Sequence, residues 1–323
     1  MTSSITRRTF GTAALATLAA THARAAKIEE ISIDWATYNP VSLVLKDQRL
    51  LETEFAKDGI AIRWVFSAGS NKALEFLNAG SLDFGSSAGA AALIGKVNGN
   101  PIKTIYVYSR PEWTALVTQK DSAIKTVPDL KGQRIAVTRG TDPHIFLVRA
   151  LASAGMSERD VKLVLLQHAD GRTAMERGDV AAGAGLDPMR AAAEIESGAR
   201  LFYRKPEANT WGVLNVREEF ATANPDLVRR VLTVYETARK WSLAHPAELN
   251  AALGAAARLP QPVIARQLER TDISSGQIGE KQASTIIDAG KALQTAGVLD
   301  ASLDIVAITN GMIDASYCRA IGA

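Results

Sequence analysis

Apolar residues recur along this chain in two alternating rhythms. Short runs that are almost continuously apolar or β-branched predict buried strands. Longer runs with apolar residues three and four apart predict the helices that cover them. The clearest unit is Arg134–Gly155. Ile135–Thr138 reads as a strand, Asp142 stands at an N-cap position, Pro143 at the first helical position, and Ile145, Val148 and Leu151 follow at helical spacing until Gly155. The plan recurs at Ile31–Tyr38, then Asn39-Pro40 and a helix carrying Val41, Val44, Leu45, Leu51 and Phe55 to Gly59. It recurs at Ser81–Gly85, then Ser86-Ser87-Ala88-Gly89 and an Ala-rich helix, and at Ala181–Leu186, then Asp187-Pro188 and a helix through Ile195. Alternation of this kind builds parallel βαβ units. A strand running into a helix N-terminus aims unpaired backbone N–H groups at the C-terminal edge of the sheet, where open α/β sheets bind ligands. Any one such junction also fits an ordinary capped helix; the four together point to a site.

Further strands are expected at Ile60–Phe66, Ile102–Tyr108, Ala115–Gln119, Val161–Leu166, Leu201–Tyr203 and Trp211–Val216, and a nearly all-helical segment from Glu218. Asn78–Gly85 and Glu176–Gly183 both close a helix with glycine and open a strand shortly afterwards. Two lobes on one plan are the expectation.

The chain has 323 residues and a single cysteine, Cys318, which excludes an internal disulfide and a CxxC site. His22, His144, His168 and His245 are scattered, with no metal-ligand spacing, and no cofactor is expected. Thr6-Arg7-Arg8-Thr9-Phe10, a weakly apolar run Gly11–Thr21 and Ala23-Arg24-Ala25 form a twin-arginine export pattern over residues 1–25. Cleavage would remove Arg7, Arg8 and Arg24, so Lys plus Arg falls from 37 to 34, equal to the 34 acids. A near-neutral mature chain without a basic stripe does not favour nucleic acid.

The phrases AGSLDFG, KDSAIKTVPDLKGQRIAVTRGT followed by His144, and LDPMRAAAE, in that order, resemble the alkanesulfonate, taurine and nitrate-type solute-binding proteins of ABC importers. The resemblance covers roughly Ile31–Lys240. It implies a type II two-lobe α/β periplasmic binding fold, with two βα sheets joined by crossover strands near Trp113–Gln119 and Asn209–Val216. Lobe one would then be 26–115 and 212–323, and lobe two 116–211. It also implies a ligand held between the lobes by Tyr38, Asn39, Ser67, Ser86, Ser87 and Ala88 on one side. On the other side stand Thr141, His144 and Asp187, with Trp113 and Trp211 beside the crossings. The implied partners are a small organic anion, foremost a sulfonate, and an inner-membrane permease, with the binding protein a periplasmic monomer. Helix N-termini and hydroxyls satisfy a weakly basic three-oxygen anion without a full counter-charge. Asp142 beside such a site, and Ser87-Ala88-Gly89 and Leu186 where the family often has other residues, keep a nitrogen compound open as ligand. An enzyme related to thiamine-pyrimidine synthesis would need a cysteine-rich segment, and this sequence has none. Against an effector-sensing regulator stand the export pattern and the lack of a DNA-binding helix-turn-helix pattern in this sequence.

Overall fold

The structure, a computed structural model, describes residues 28–322, so the export pattern lies outside it. In chain order the first elements are β1 (Glu30–Trp35), α1 (Pro40–Asp47), α2 (Leu50–Phe55), β2 (Ala61–Phe66), α3 (Ser70–Asn78), β3 (Phe84–Ala88), α4 (Gly89–Val97) and β4 (Ile102–Pro111). The chain then crosses into β5 (Thr114–Thr118), β6 (Arg134–Val137), α5 (Asp142–Ser153), β7 (Lys162–Leu165), α6 (His168–Arg177), β8 (Ala182–Leu186), α7 (Met189–Ser197) and β9 (Arg200–Tyr203). It returns through β10 (Gly212–Arg217), and the remainder is helical apart from the two-residue β11 (Thr271–Asp272). Those helices are α8 (Glu218–Ala223), α9 (Pro225–Ala244), α10 (Pro246–Ala257), α11 (Gln261–Glu269), α12 (Glu280–Thr295), α13 (Ile305–Met312) and α14 (Ser316–Ile321).

Two sheets result, one per lobe. The first runs β11-β4-β10-β3-β1-β2 and the second β7-β6-β8-β5-β9. Within each, the strands that feed helices are parallel: β1 with β2 and β3, and β6 with β7 and β8. Their C-terminal ends therefore lie at one edge of each sheet. β10 and β5 insert antiparallel. Ile31, Ile33, Phe84, Val107, Val213 and Leu214 are fully buried, as strands covered on both faces must be.

Four expectations need correcting. Ser86, Ser87 and Ala88 are not a loop: they extend β3, because β10 pairs with them antiparallel and uses their backbone groups. The first helix is broken at Arg49, which takes a left-handed conformation (φ 53°) and splits it into α1 and α2. The crossings are earlier than expected, since β5 already belongs to the second sheet and β10 to the first; the chain changes lobe at 112–113 and 204–211. At α5 the N-cap is Thr141, and Asp142 is the first helical residue.

Candidate functional site

In lobe one the strand ends are tied by a buried polar chain. Asp34, fully buried at the end of β1, accepts from the Ser86 backbone N–H (2.9 Å) and the Ser86 hydroxyl (2.8 Å). Asn39 Nδ2 donates to Ser86 Oγ (2.8 Å) and to the Tyr235 hydroxyl (2.7 Å), and the Tyr38 hydroxyl donates to Ser86 O (3.1 Å). The Ser87 hydroxyl donates to Ala88 O (3.1 Å) and accepts from Asn215 Nδ2 (2.8 Å), while Ala88 N donates to Ser70 Oγ (3.0 Å). Burial pushes the Asp34 carboxyl up to about 6, against the opposing pull of the Ser86 hydrogen bonds. Ser67 adds a weaker pull on the same carboxyl, yet at full hydrogen-bond geometry both Ser67 Oγ and Asp34 Oδ2 are buried without a partner.

In lobe two the expected contacts are differently employed. The Thr141 hydroxyl turns back to Thr138 O (2.6 Å). Asp142 is buried and accepts from Trp113 Nε1 (2.9 Å), Thr210 N (3.0 Å) and the Thr210 hydroxyl (2.7 Å). Its charge therefore ties both crossovers to α5 instead of opposing an anion in the open. His144 faces away, with Nε2 2.8 Å from Glu158 Oε1. Asp187 is buried against Arg190 (Nη2–Oδ2 2.7 Å) and caps Ala191 N (2.9 Å), an internal ion pair rather than a free carboxylate. Trp113 packs with Tyr38 and Tyr108 at ring-centre distances of 6.2 and 6.4 Å. The Trp211 ring lies between Arg110 and Lys281, each 5.4 Å from its centre, in a groove with Ser274–Gln282. Tyr38, Asn39, Ser67, Ser86, Ser87, Ala88 and Trp113 thus gather at one edge with the start of α5. The side chains of His144, Asp187 and Trp211 are engaged elsewhere.

Across the gap the lobes meet at helix starts. A Cβ placed on Gly69, which caps α3, would lie 3.0 Å from His168 Nε2, and one on Gly140, just before α5, would lie 3.8 Å from Asn71 Cβ. The N-termini of α3, α5 and α6 therefore converge from both lobes. Two polar atoms at this meeting, Asn71 Oδ1 and His168 Nε2, are buried without partners. Thr138 Oγ1 donates to Leu166 O (2.7 Å), so toward His168 Nδ1, 3.2 Å away, it acts as acceptor. That places the imidazole proton on Nδ1 and leaves Nε2 a bare acceptor. Burial pushes the His168 imidazole down to about 4. Asp34, Asn71 and His168 were missed from sequence. For His168 a signal existed, since it sits where a strand enters a helix. Among the described residues no group of three or more His, Cys, Asp or Glu could hold a metal ion, and no helix is long and apolar enough to cross a membrane.

Two βα sheets with strand C-termini facing a shared gap, joined by two crossovers, define a two-lobe periplasmic binding protein fold. The chain belongs to the NMT1/THI5-like family, whose model matches residues 55–249, more than half its length. A relative from Escherichia coli (strain K12), provisionally named an aliphatic sulfonates-binding protein, is 31% identical over 232 residues, covering 71% of this chain and 72% of that protein. The alkanesulfonate-binding protein SsuA from Xanthomonas axonopodis pv. citri, solved bound to MOPS, is similar with a TM-score of 0.80 at 26% identity, over 90% of this chain and 99% of that one. The periplasmic aliphatic sulphonate binding protein SsuA from Escherichia coli gives 0.73 at 26% identity, over 86% and 90%. The relatives are named as binding proteins, and this chain stands with them as a binding protein, not an enzyme.

Proposed function

We propose that this protein is the periplasmic binding component of an ABC importer, and that it captures a small organic anion with a sulfonate head between its lobes. The carrying observation is the convergence of the α3, α5 and α6 N-termini across the gap. Each presents first-turn N–H groups and the positive end of a helix dipole, which suits an anion with three weakly basic oxygens. The names of the relatives favour a sulfonate over nitrate or an amine. The lobes correspond in this reading to 26–112 with 212–323 and to 113–211, and residues 1–25 serve export. With the hydroxyls of Ser86, Ser87 and Thr141 donating inside the protein, the head is held chiefly by backbone amides, with Ser67 and Asn71 at its rim. Trp113, Tyr38 and Tyr108 wall the gap. A head held chiefly by neutral amides also lets the ligand leave toward the permease.

Calorimetry and thermal shift with methanesulfonate, a sulfate ester, nitrate, acetate and an alkylamine test this. Saturable binding of the sulfonate and a ligand-dependent rise in melting temperature are expected. Binding of the amine alone, or turnover of any sulfonate, would refute the proposal.

A further inference from the structure

Lobe two contains a cavity of about 30 Å³ beneath α6 and α7. Strand alternation accounts for it. Along β8, Ala182 and Ala184 join the cluster of Phe146 and Leu147 from α5, so positions 183 and 185 face the opposite helices. Both are glycine. At Gly185 packing explains the residue, since a Cβ would lie 3.3 Å from Val117 Cγ2 and 3.5 Å from Arg190 Cβ. At Gly183 it does not, since within 4 Å a Cβ would meet only the Ala136 carbonyl, at 3.9 Å. The absent side chain leaves space that backbone approach does not require. Met175 and Met189, flexible side chains that adapt to what they touch, line the same cavity.

The cavity adjoins the gap between the lobes. Its lining includes Thr138 and His168, at the C-terminal ends of β6 and β7, and His168 Nε2 is the atom that meets Gly69 of lobe one. Three lining residues each keep a buried polar atom without a partner: Arg190 Nη1, Gln167 Oε1 and His168 Nε2. Arg190 is 1% exposed; its Nε and Nη2 are spent on Asp187 and Glu112 O, which leaves Nη1 alone. A void of this size holds about one or two water molecules. One donor and two acceptors around it match a group that both accepts and donates.

We propose that this cavity is a subsite for the far end of the ligand, and that it takes a short carbon tail ending in a hydroxyl. The inference rests on the anion reading above: the head stays among the helix starts and the tail passes His168 into lobe two. The hydroxyl accepts from Arg190 and donates to Gln167 or His168, and Gly183 sets the depth.

Isothermal calorimetry with methanesulfonate, ethanesulfonate and 2-hydroxyethanesulfonate tests it, on the unmodified protein and on Gly183→Val. The unmodified protein is expected to bind 2-hydroxyethanesulfonate about tenfold or more tighter than ethanesulfonate, the worth of hydrogen bonds to a charged group. Gly183→Val should lose that preference and keep methanesulfonate affinity within about twofold, because the short ligand never reaches the cavity. If valine prevents folding, Gly183→Ala, whose Cβ makes only an ordinary contact, should still lower the preference. Methanesulfonate binding with no hydroxyl preference, or a preference that survives in a folded Gly183→Val, overturns the subsite alone. No binding of any of the three to the unmodified protein overturns the head-group reading, and the subsite with it.

Discussion

The two sets of strand ends that face the gap solve one problem in different ways. In lobe one the buried polar groups are mostly neutral and chained: Tyr235 to Asn39 to Ser86 to Asp34, with Asn215 on Ser87. Within that chain only Asp34 carries a potential charge, and burial favours its protonated form. In lobe two the polar groups are ions compensated in pairs. Asp187 holds Arg190, and Arg270 of lobe one reaches across to Asp187 and Glu194. On both sides these buried groups are partnered within the protein. An anion in the gap therefore meets amide dipoles rather than a counter-ion, which favours selection by shape and permits release.

The comparison is sharpest in stability. Asp187→Ala should destabilise the protein by about 3–5 kcal/mol, because it strands the Arg190 guanidinium in a buried site. Ser86→Ala in lobe one should cost about 1–3 kcal/mol, the loss of hydrogen bonds between groups that leave little charge behind. Urea unfolding followed by far-UV circular dichroism measures both. Equal costs, or a larger one in lobe one, would break the distinction between paired ions and neutral chains.

The lobes should also answer pH with opposite signs. Asp34 is raised from 3.8 to about 6, so the folded chain keeps a proton that the unfolded chain releases. Its contribution is full below pH 3.8 and is lost as pH rises through about 6, by at most about 3 kcal/mol. His168 is lowered from 6.5 to about 4, so its contribution is full above pH 6.5 and is lost as pH falls through about 4. In the unmodified protein the two slopes oppose each other between these limits. Asp34→Asn should make stability rise more steeply from pH 4.5 to 6, and His168→Gln should make it rise less or fall. Urea midpoints across that window decide it, and the same change of slope in both variants would reject the assignment.

Much of the architecture was readable because parallel strands buried on both faces leave nearly continuous apolar runs, each followed by a small or capping residue, as at Asn39-Pro40 and Asp187-Pro188. What escaped depends on partners far away in the chain. Ser86–Ala88 read as a loop because the strand that extends them, β10, lies more than a hundred residues on. Asp142 read as an obstacle to an anion because its acceptors' donors, Trp113 and Thr210, are brought in only by the two crossovers. His144 read as a contact because helical spacing does not show which side of the first turn meets Glu158. Gly183 read simply as part of a strand, since a cavity opposite a glycine exists only once the facing helices are packed.

The smallest expected effect concerns the hydroxyls first singled out for the ligand. Ser87 Oγ donates to Ala88 O and Thr141 Oγ1 donates to Thr138 O, so neither hydroxyl has a proton left for an anion. Each offers only lone pairs toward the gap, where a sulfonate oxygen gains nothing from them. Ser87→Ala combined with Thr141→Ala should therefore weaken sulfonate binding by less than about 1 kcal/mol, against the roughly 1–3 kcal/mol expected for hydrogen bonds made directly to a charged group. Ser67→Ala, at the one buried hydroxyl of the site without a partner, should weaken it more than the pair together. Calorimetry on the three proteins orders them. A larger loss in the double variant would mean that the hydroxyls rotate to the ligand on binding, and that lobe one is less preformed than its internal hydrogen bonds indicate.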